Sequence, residues 1–417
     1  MNKKIGNIFK GDKVIWMVFF FLCIISIVEV FSASSSLTYK NGSYWGPALY
    51  HGIILLMGFF VMIFVVNIPC KYFKIVTPFL LLISILTLLW VLVAGTSTND
   101  ANRWVSFLGI QFQPSEIAKG TLVLAVAQIL SAMQTEKGAD SHTMKYILLT
   151  CAPIIFLIGV ENFSTAALLG LVVLMMMIIG RVPMVQIGKL MGVAMLIIVC
   201  FVGVILLLGK NDKEEDSKLQ MTEQVETQKK VSTAEKIFHR FGTWKGRILD
   251  FFDSKEVSPE EFDLDKNSQV GHSNIAIATS NIIGKGPGNS VERDFLPQAF
   301  SDFIYAIVIE EMGILGGAFV AILYIILLFR TGRIANRCEN NFPAFLAMGL
   351  ALLLVAQALF NMLVAVGLAP VTGQPLPLIS KGGTSSVINC IYIGVILSIS
   401  RSAKKKKDFA VDDVKTS

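Results

Sequence analysis

Long uninterrupted apolar runs decide the solvent of this chain before any motif is considered. Residues 14–33 read VIWMVFFFLCIISIVEVFSA and contain a single charge, Glu29. Such a run matches the roughly 18 to 20 apolar residues that a helix needs to cross a bilayer. Comparable runs recur, and the pattern predicts about ten spans, near 14–33, 47–67, 75–95, 114–134, 146–161, 164–181, 186–208, 303–329, 343–368 and 385–401. Composition agrees, with 54% hydrophobic and 16% charged residues over 417. The expected fold class is an all-α polytopic membrane protein, with one transmembrane domain over residues 1–417. The first run is long enough to be a helix and lacks a small-residue cleavage site, so no cleavable signal peptide is expected. The six cysteines are scattered through or beside apolar segments, and they read as small hydrophobes.

Charge placement orients the bundle. With the N-terminus inside, Lys3, Lys4, Lys10, Lys13, Lys71, Lys74, Lys137, Lys145, Arg181, Lys189, Arg330, Arg333, Arg337 and the basic tail over 402–417 fall on one side. The short loops opposite hold only Lys40, Arg103 and Lys381. This asymmetry predicts cytoplasmic N- and C-termini.

One loop, over 209–300 and before the eighth span, is too long to be an idle turn. It is expected outside. Its first part, KNDKEEDSKLQMTEQVETQKK, has little to bury. Its middle places Ile237, Phe241, Trp244, Ile248 and Phe252 at helical spacing among basic residues, the pattern of a helix lying on a leaflet or packed over the bundle. Its last part, SNIIGKGPGNSVERD, lacks the Gly-Lys-Ser/Thr ending and the preceding strand of a phosphate loop. Nothing in the chain points to nucleic acid.

Three segments on the expected outer side carry polar groups beside membrane helices. NRWVSFLGIQFQPSEIAKG, over 102–120, offers Arg103, Trp104, Gln113, Glu116 and Lys119. Pro114 suits the first position of a helix, and Glu116 and Lys119 are spaced to pair on one face. FLPQAFSDFIYAIVIEE, over 295–311, leads through a proline turn into an apolar helix with Asp302 near its start and Glu310 and Glu311 beyond. An acid at the mouth of a membrane helix is a functional candidate, against the plainer reading that Asp302 with Ser301 caps the helix. On a straight helix Glu311 would lie nearly opposite Asp302. PVTGQPLPLISKGGTSS, over 370–386, cannot be a regular helix because of its prolines, and it reads as a re-entrant or surface-hugging loop. Lys381, Gly383, Thr384, Ser385 and Ser386 then run into the last span as a candidate anion site. Simple capping needs one hydroxyl and explains neither three in a row nor the lysine.

These three segments, in this order and spacing, resemble the SEDS family of bacterial envelope proteins, named for shape, elongation, division and sporulation. The resemblance covers nearly the whole chain, and the GPGNS turn at 286–290 is more similar to the FtsW branch than to the RodA branch. Two departures stand out. Glu161-Asn162-Phe163-Ser164-Thr165-Ala166 replaces the family's usual Gln-Pro-Asp-Leu-Gly-Thr-Ala, and Lys381 stands where tyrosine is usual.

The resemblance implies a peptidoglycan glycosyltransferase that polymerises lipid II at the outer face of the bacterial cytoplasmic membrane during cell division. Asp302 matches the family's catalytic aspartate. A class B penicillin-binding transpeptidase and other division proteins are the implied partners. No soluble cofactor is implied, and there is room for a divalent cation, magnesium or manganese. The residues suit that chemistry. A lipid pyrophosphate leaves as a stable anion, so one base and a set of cations suffice where a glycoside hydrolase generally needs two carboxylates. The alternatives are a lipid II flippase, which calls for polar groups through the bilayer depth and broken helices, and a non-enzymatic division scaffold.

Overall fold

The computed structural model describes residues 9–34, 45–94, 96–98, 101–107, 110–208, 268–296 and 299–415. The amphipathic stretch from Ile237 to Phe252 and the charged stretch before it lie outside the described residues.

The apolar runs become helices: α1 (Lys13–Ala33), α2 (Gly46–Val66), α3 (Lys71–Ala94), α4 (Pro114–Ala132), α5 (Thr143–Glu161), α6 (Phe163–Ile179), α7 (Met184–Leu208), α8 (Ser268–Ala278), α9 (Ile304–Ala335), α10 (Asn341–Ala365) and α11 (Thr384–Lys415). Among the described residues eight are long and apolar enough to cross a membrane, and two shorter apolar helices begin at Phe163 and Met184. Local chemistry sets several starts. Asp12 caps α1 by accepting from the Val14 N–H at 2.9 Å, and Asn162 caps α6 by accepting from Thr165 N–H at 3.2 Å. Prolines open α2 and α4, where a missing N–H costs nothing.

In the core α4 packs against α3 and α10, α9 against α10 and α1, and α11 along α2. The α1, α4, α10 and α11 helices bury much of their surface. By contrast α7 leans chiefly on α6 and leaves most of its apolar side chains exposed.

Two expectations need correction. The purely helical fold gains a small antiparallel sheet, β1 (Thr96–Thr98), β2 (Ala101–Phe107) and β3 (Ile110–Phe112), in the order β1-β2-β3. Its register pairs Val105 with Phe112 and Ser106 with Gln111. Apolar and polar residues alternate with period two across the paired stretches 105–107 and 110–112, a short strand signal overshadowed by the neighbouring spans. A two-residue pair, β4 (Gln134–Thr135) and β5 (Gly138–Ala139), closes the turn after α4.

The second correction concerns α9, which is not straight. Gly313 takes φ 74° and ψ −179° inside it. Past this break the chain folds back on itself, because the Tyr305 hydroxyl donates to the Gly317 carbonyl at 3.2 Å and Ile309 lies where a Gly317 side chain would be. Twelve residues of straight helix would separate Tyr305 from Gly317 by about 18 Å. A Cβ on Gly313 would stand 2.2 Å from the Ile282 carbonyl oxygen, so glycine is required both by dihedral and by space. The 281–286 segment fills the break, with the Lys285 and Gly286 N–H groups donating to the Glu310 and Glu311 carbonyls and Ile314 N–H donating to Asn281.

Candidate functional site

The break in α9 decides where Asp302 sits. Glu311 is level with the end of α1, where it accepts a short hydrogen bond from Ser32, and the chain from Ile304 to Met312 leads back from there into the bundle. At the far end of that short helix, Phe300, Ser301 and Asp302 present three successive carbonyls to the rest of the site. Lys381 N–H donates to Phe300 at 3.0 Å, Ser380 Oγ to Ser301 at 2.6 Å, and Asn361 Nδ2 to Asp302 at 2.8 Å. The helix N-cap is Phe303, which makes no side-chain cap bond, so Asp302 stands one residue ahead of the capping position. Its half-buried carboxylate accepts from the Ser301 hydroxyl at 2.9 Å.

The segment 370–383 is non-helical, as its prolines require, and it turns into the bundle beside α1. Its carbonyls hang on side chains from three helices: Gln374 accepts from Asn361 at 2.8 Å, Pro375 from Gln357 at 3.0 Å, Pro377 from the Tyr324 hydroxyl, and Ile379 from Ser26 at 2.7 Å. Ser26 is seven residues inside the end of α1, about 10 Å along a helix axis. A non-helical backbone among membrane helices survives only where protein satisfies its polar groups, and here side chains satisfy these four carbonyls. Leu378, buried, is held at φ 67°, a left-handed conformation that is strained for a side chain of its size.

The remaining site residues divide into two groups. Lys381 is half-buried, its ammonium 4.9 Å from the Phe300 ring centroid. Burial lowers its pKa from the ordinary lysine value. Gly383 has φ 53°, Ser385 N–H and Ser386 N–H donate back to Gly382 and Gly383, and the Thr384 hydroxyl reaches the Gln111 carbonyl of β3 at 3.4 Å. The turn therefore meets the sheet that carries Arg103 and Trp104 on β2, with Gln113 just before α4. Ser385 and Ser386 are buried at the head of α11.

Glu116 and Lys119 form the expected pair at 2.8 Å, and both are buried, with Lys119 fully enclosed. Lys119 also donates to Gln357 Oε1 at 2.8 Å. As a contact for substrate Lys119 needs correction: its ammonium is spent on Glu116 and Gln357, which in turn holds Pro375. It supports the re-entrant loop from behind.

Several groups were missed at the sequence level. Gln357 and Asn361 are amides one helical turn apart inside an apolar run, which is itself a functional signal. Ser26 and His51 are lone polar residues in apolar runs, with the same signal in weaker form. The departure at 161–166 joins the site as well, since Thr165 Oγ1 accepts from Gln374 Nε2 at 2.5 Å. Among the described residues no group of three or more His, Cys, Asp or Glu side chains is arranged to hold a metal ion, and no step below passes through one.

Apolar helices around a re-entrant loop, with an acid, a lysine and a hydroxyl-bearing turn gathered near one end, define an integral-membrane protein with a polar site set into its bundle. The family model described as "Cell cycle protein", FTSW_RODA_SPOVE, matches residues 12–405, and the chain belongs to that family. It is 28% identical to a probable peptidoglycan glycosyltransferase FtsW of Halomonas elongata, over 93% of this chain and 90% of that protein. It is 26% identical to the peptidoglycan glycosyltransferase MrdB of Escherichia coli K12, over 83% of each. Among solved structures, one of a peptidoglycan synthase complex that coordinates polymerization and crosslinking shares the fold with a TM-score of 0.70, at 21% identity, covering 94% of this chain and 98% of that chain. The rod shape determining protein RodA of Thermus thermophilus matches with a TM-score of 0.59 at 19% identity, over 94% of this chain and 97% of that one.

Proposed function

We propose that this chain is a peptidoglycan glycosyltransferase that polymerises lipid II into glycan strands at the outer face of the bacterial cytoplasmic membrane during cell division. The observation that carries the reading is the meeting of the three polar segments: Lys381, Ser380 and Asn361 fix the backbone of Phe300 to Asp302, and Thr384 reaches Gln111 of the first segment. Asp302 is the general base. It takes the proton from the acceptor hydroxyl, whose oxygen attacks the anomeric carbon of the α-linked donor. The bond to pyrophosphate breaks with inversion, and undecaprenyl pyrophosphate departs as an anion. Arg103, Lys381 and the Gly383 to Ser386 turn bind that anion, Trp104 and Gln113 border it, and the Glu116–Lys119 pair holds the loop behind it.

The reading includes ten spans, both termini in the cytoplasm and a single domain with the 209–300 loop outside. A class B penicillin-binding transpeptidase is the proposed partner, in line with the synthase complex that shares this fold. The flippase alternative would draw on the broken helix α9, but the chain's own 281–286 segment hydrogen-bonds across the break.

The test is purified protein with lipid II as sole substrate. Glycan strands are the expected product, and their absence under conditions that keep the protein folded overturns the reading. Orientation has its own check in a cysteine-free background. Asn289→Cys should label from outside, and Asn336→Cys only after permeabilisation.

A further inference from the structure

Ser26 and His51 lie outside all three polar segments, yet they are tied to the site by an unbroken chain of hydrogen bonds. His51 on α2 is buried, and its Nε2 is 2.7 Å from Ser26 Oγ on α1. Ser26 Oγ is in turn 2.7 Å from the Ile379 carbonyl of the re-entrant loop. Hydrogen counting fixes the direction. A carbonyl can only accept, so the one hydroxyl hydrogen of Ser26 goes to Ile379, and the 2.7 Å contact with His51 is then made by a hydrogen on Nε2. The other ring nitrogen, Nδ1, is buried with no hydrogen-bond partner among the described residues. A histidine kept only to fill space would be replaced at lower cost by an apolar side chain, because a buried unpaired nitrogen is unfavourable. What the ring supplies here is the Nε2 donor.

The bond falls at a sensitive place. Ile379 follows strained Leu378 and precedes Ser380 and Lys381, the two residues that hold the Ser301 and Phe300 carbonyls. From His51 the path runs through Ser26, Ile379 and Ser380 to the residue before Asp302.

We infer that His51 and Ser26 form a pin between α2, α1 and the re-entrant loop, and that they act as positioning residues that set both Asp302 and the Lys381 turn. This rests on the polymerase reading above for its kinetic consequence. Its structural consequence does not.

The test uses the full-length protein with lipid II and measures kcat and KM together with amide hydrogen exchange of the 371–383 peptide. His51→Phe keeps the ring and removes the donor, and Ser26→Ala removes the relay. Each is expected to lower kcat about tenfold, the scale of a sub-ångström misplacement of a reacting group, with KM changed less than about threefold. The double variant should be no slower than either single variant, because both interrupt one path. His51→Gln offers an amide donor and should recover most of the rate. Exchange of the 371–383 peptide should rise in His51→Phe and Ser26→Ala. Unchanged exchange in both, multiplying losses in the double variant, or no recovery in His51→Gln would each overturn the pin. Wild-type protein that makes no polymer would remove the polymerase reading instead, and the exchange comparison would still decide whether the pin exists.

Discussion

Asp302 stands just ahead of the short helical segment that carries the Glu310–Glu311 pair, and the two ends use carboxylates in opposite ways. At the far end both glutamates are fully buried and surrounded by donors. Glu310 accepts from Lys285 Nζ at 2.6 Å, from Val291 N–H at 3.0 Å and from the Ser290 hydroxyl. Glu311 accepts from Gly288 N–H at 3.0 Å, Ser290 N–H at 3.3 Å and the Ser32 hydroxyl, itself bonded by Arg293 at 2.9 Å. These acids lock the 285–291 turn to α9. At the near end it is the backbone around Asp302 that is locked, while the half-buried carboxylate takes the Ser301 hydroxyl. An acid whose oxygens are committed to the fold holds geometry. At Asp302 the fold holds the main chain, which suits the proton-accepting role proposed for its carboxylate.

That contrast orders the expected effects. The largest is structural. Glu310→Ala strands Lys285, Ser290 and the Val291 N–H around an empty site, and a loss of about 3–5 kcal/mol is expected. A lowered melting temperature in detergent checks it, and an unchanged one would mean that the turn is held by other contacts. Next is Asp302→Asn, which keeps size and helix compatibility and removes the proposed base. Strand formation should fall roughly 100-fold or more with the melting temperature unmoved. Wild-type rates in this variant would sink the contrast. Lys381→Ala with Thr384→Ala should raise KM for lipid II about tenfold, the scale of one or two charge-assisted hydrogen bonds. Unchanged kinetics would return the turn to simple capping. The smallest effect is a pH shift. An ammonium is charged below its pKa, and burial lowers that of Lys381, so its charge is lost at a lower pH than for an ordinary lysine. The alkaline limb of the rate profile should therefore move upward in Lys381→Arg, since a guanidinium keeps its charge.

Much of this was legible in the residues. Hydropathy placed most of the apolar helices within a few residues of their observed ends, because a bilayer fixes helix length so tightly, but α9 and α11 run on to Ala335 and Lys415, past the expected ends at 329 and 401. Pro370, Pro375 and Pro377 announced a non-helical segment, but not that it would turn in beside α1. The Glu116–Lys119 spacing announced the pair, but not that Gln357 would claim the lysine from another helix. The break at Gly313 was hidden because apolar residues continue across it. The signal lay in surplus length, since 32 residues from Ile304 to Ala335 exceed what a bilayer needs. Ser26 and His51 were visible as polar residues in apolar runs, yet a partner 353 positions away along the chain leaves no local trace.

The turn at Gly313 also bears on how the protein is made. As one rod, Ile304–Ala335 would be about 48 Å long against a hydrocarbon layer of about 30 Å. Machinery that inserts segments by their hydrophobicity meets a single overlong candidate there. The part from Ile314 onward suffices to cross, and the preceding residues are left to fold back once 281–286 has closed against Gly313. The region around Asp302 thus depends on a segment that precedes it in the chain. A side chain at residue 313 would meet the backbone of Ile282 to Gly284 and hold that segment away from the break, leaving the overlong rod without the piece that closes its bend.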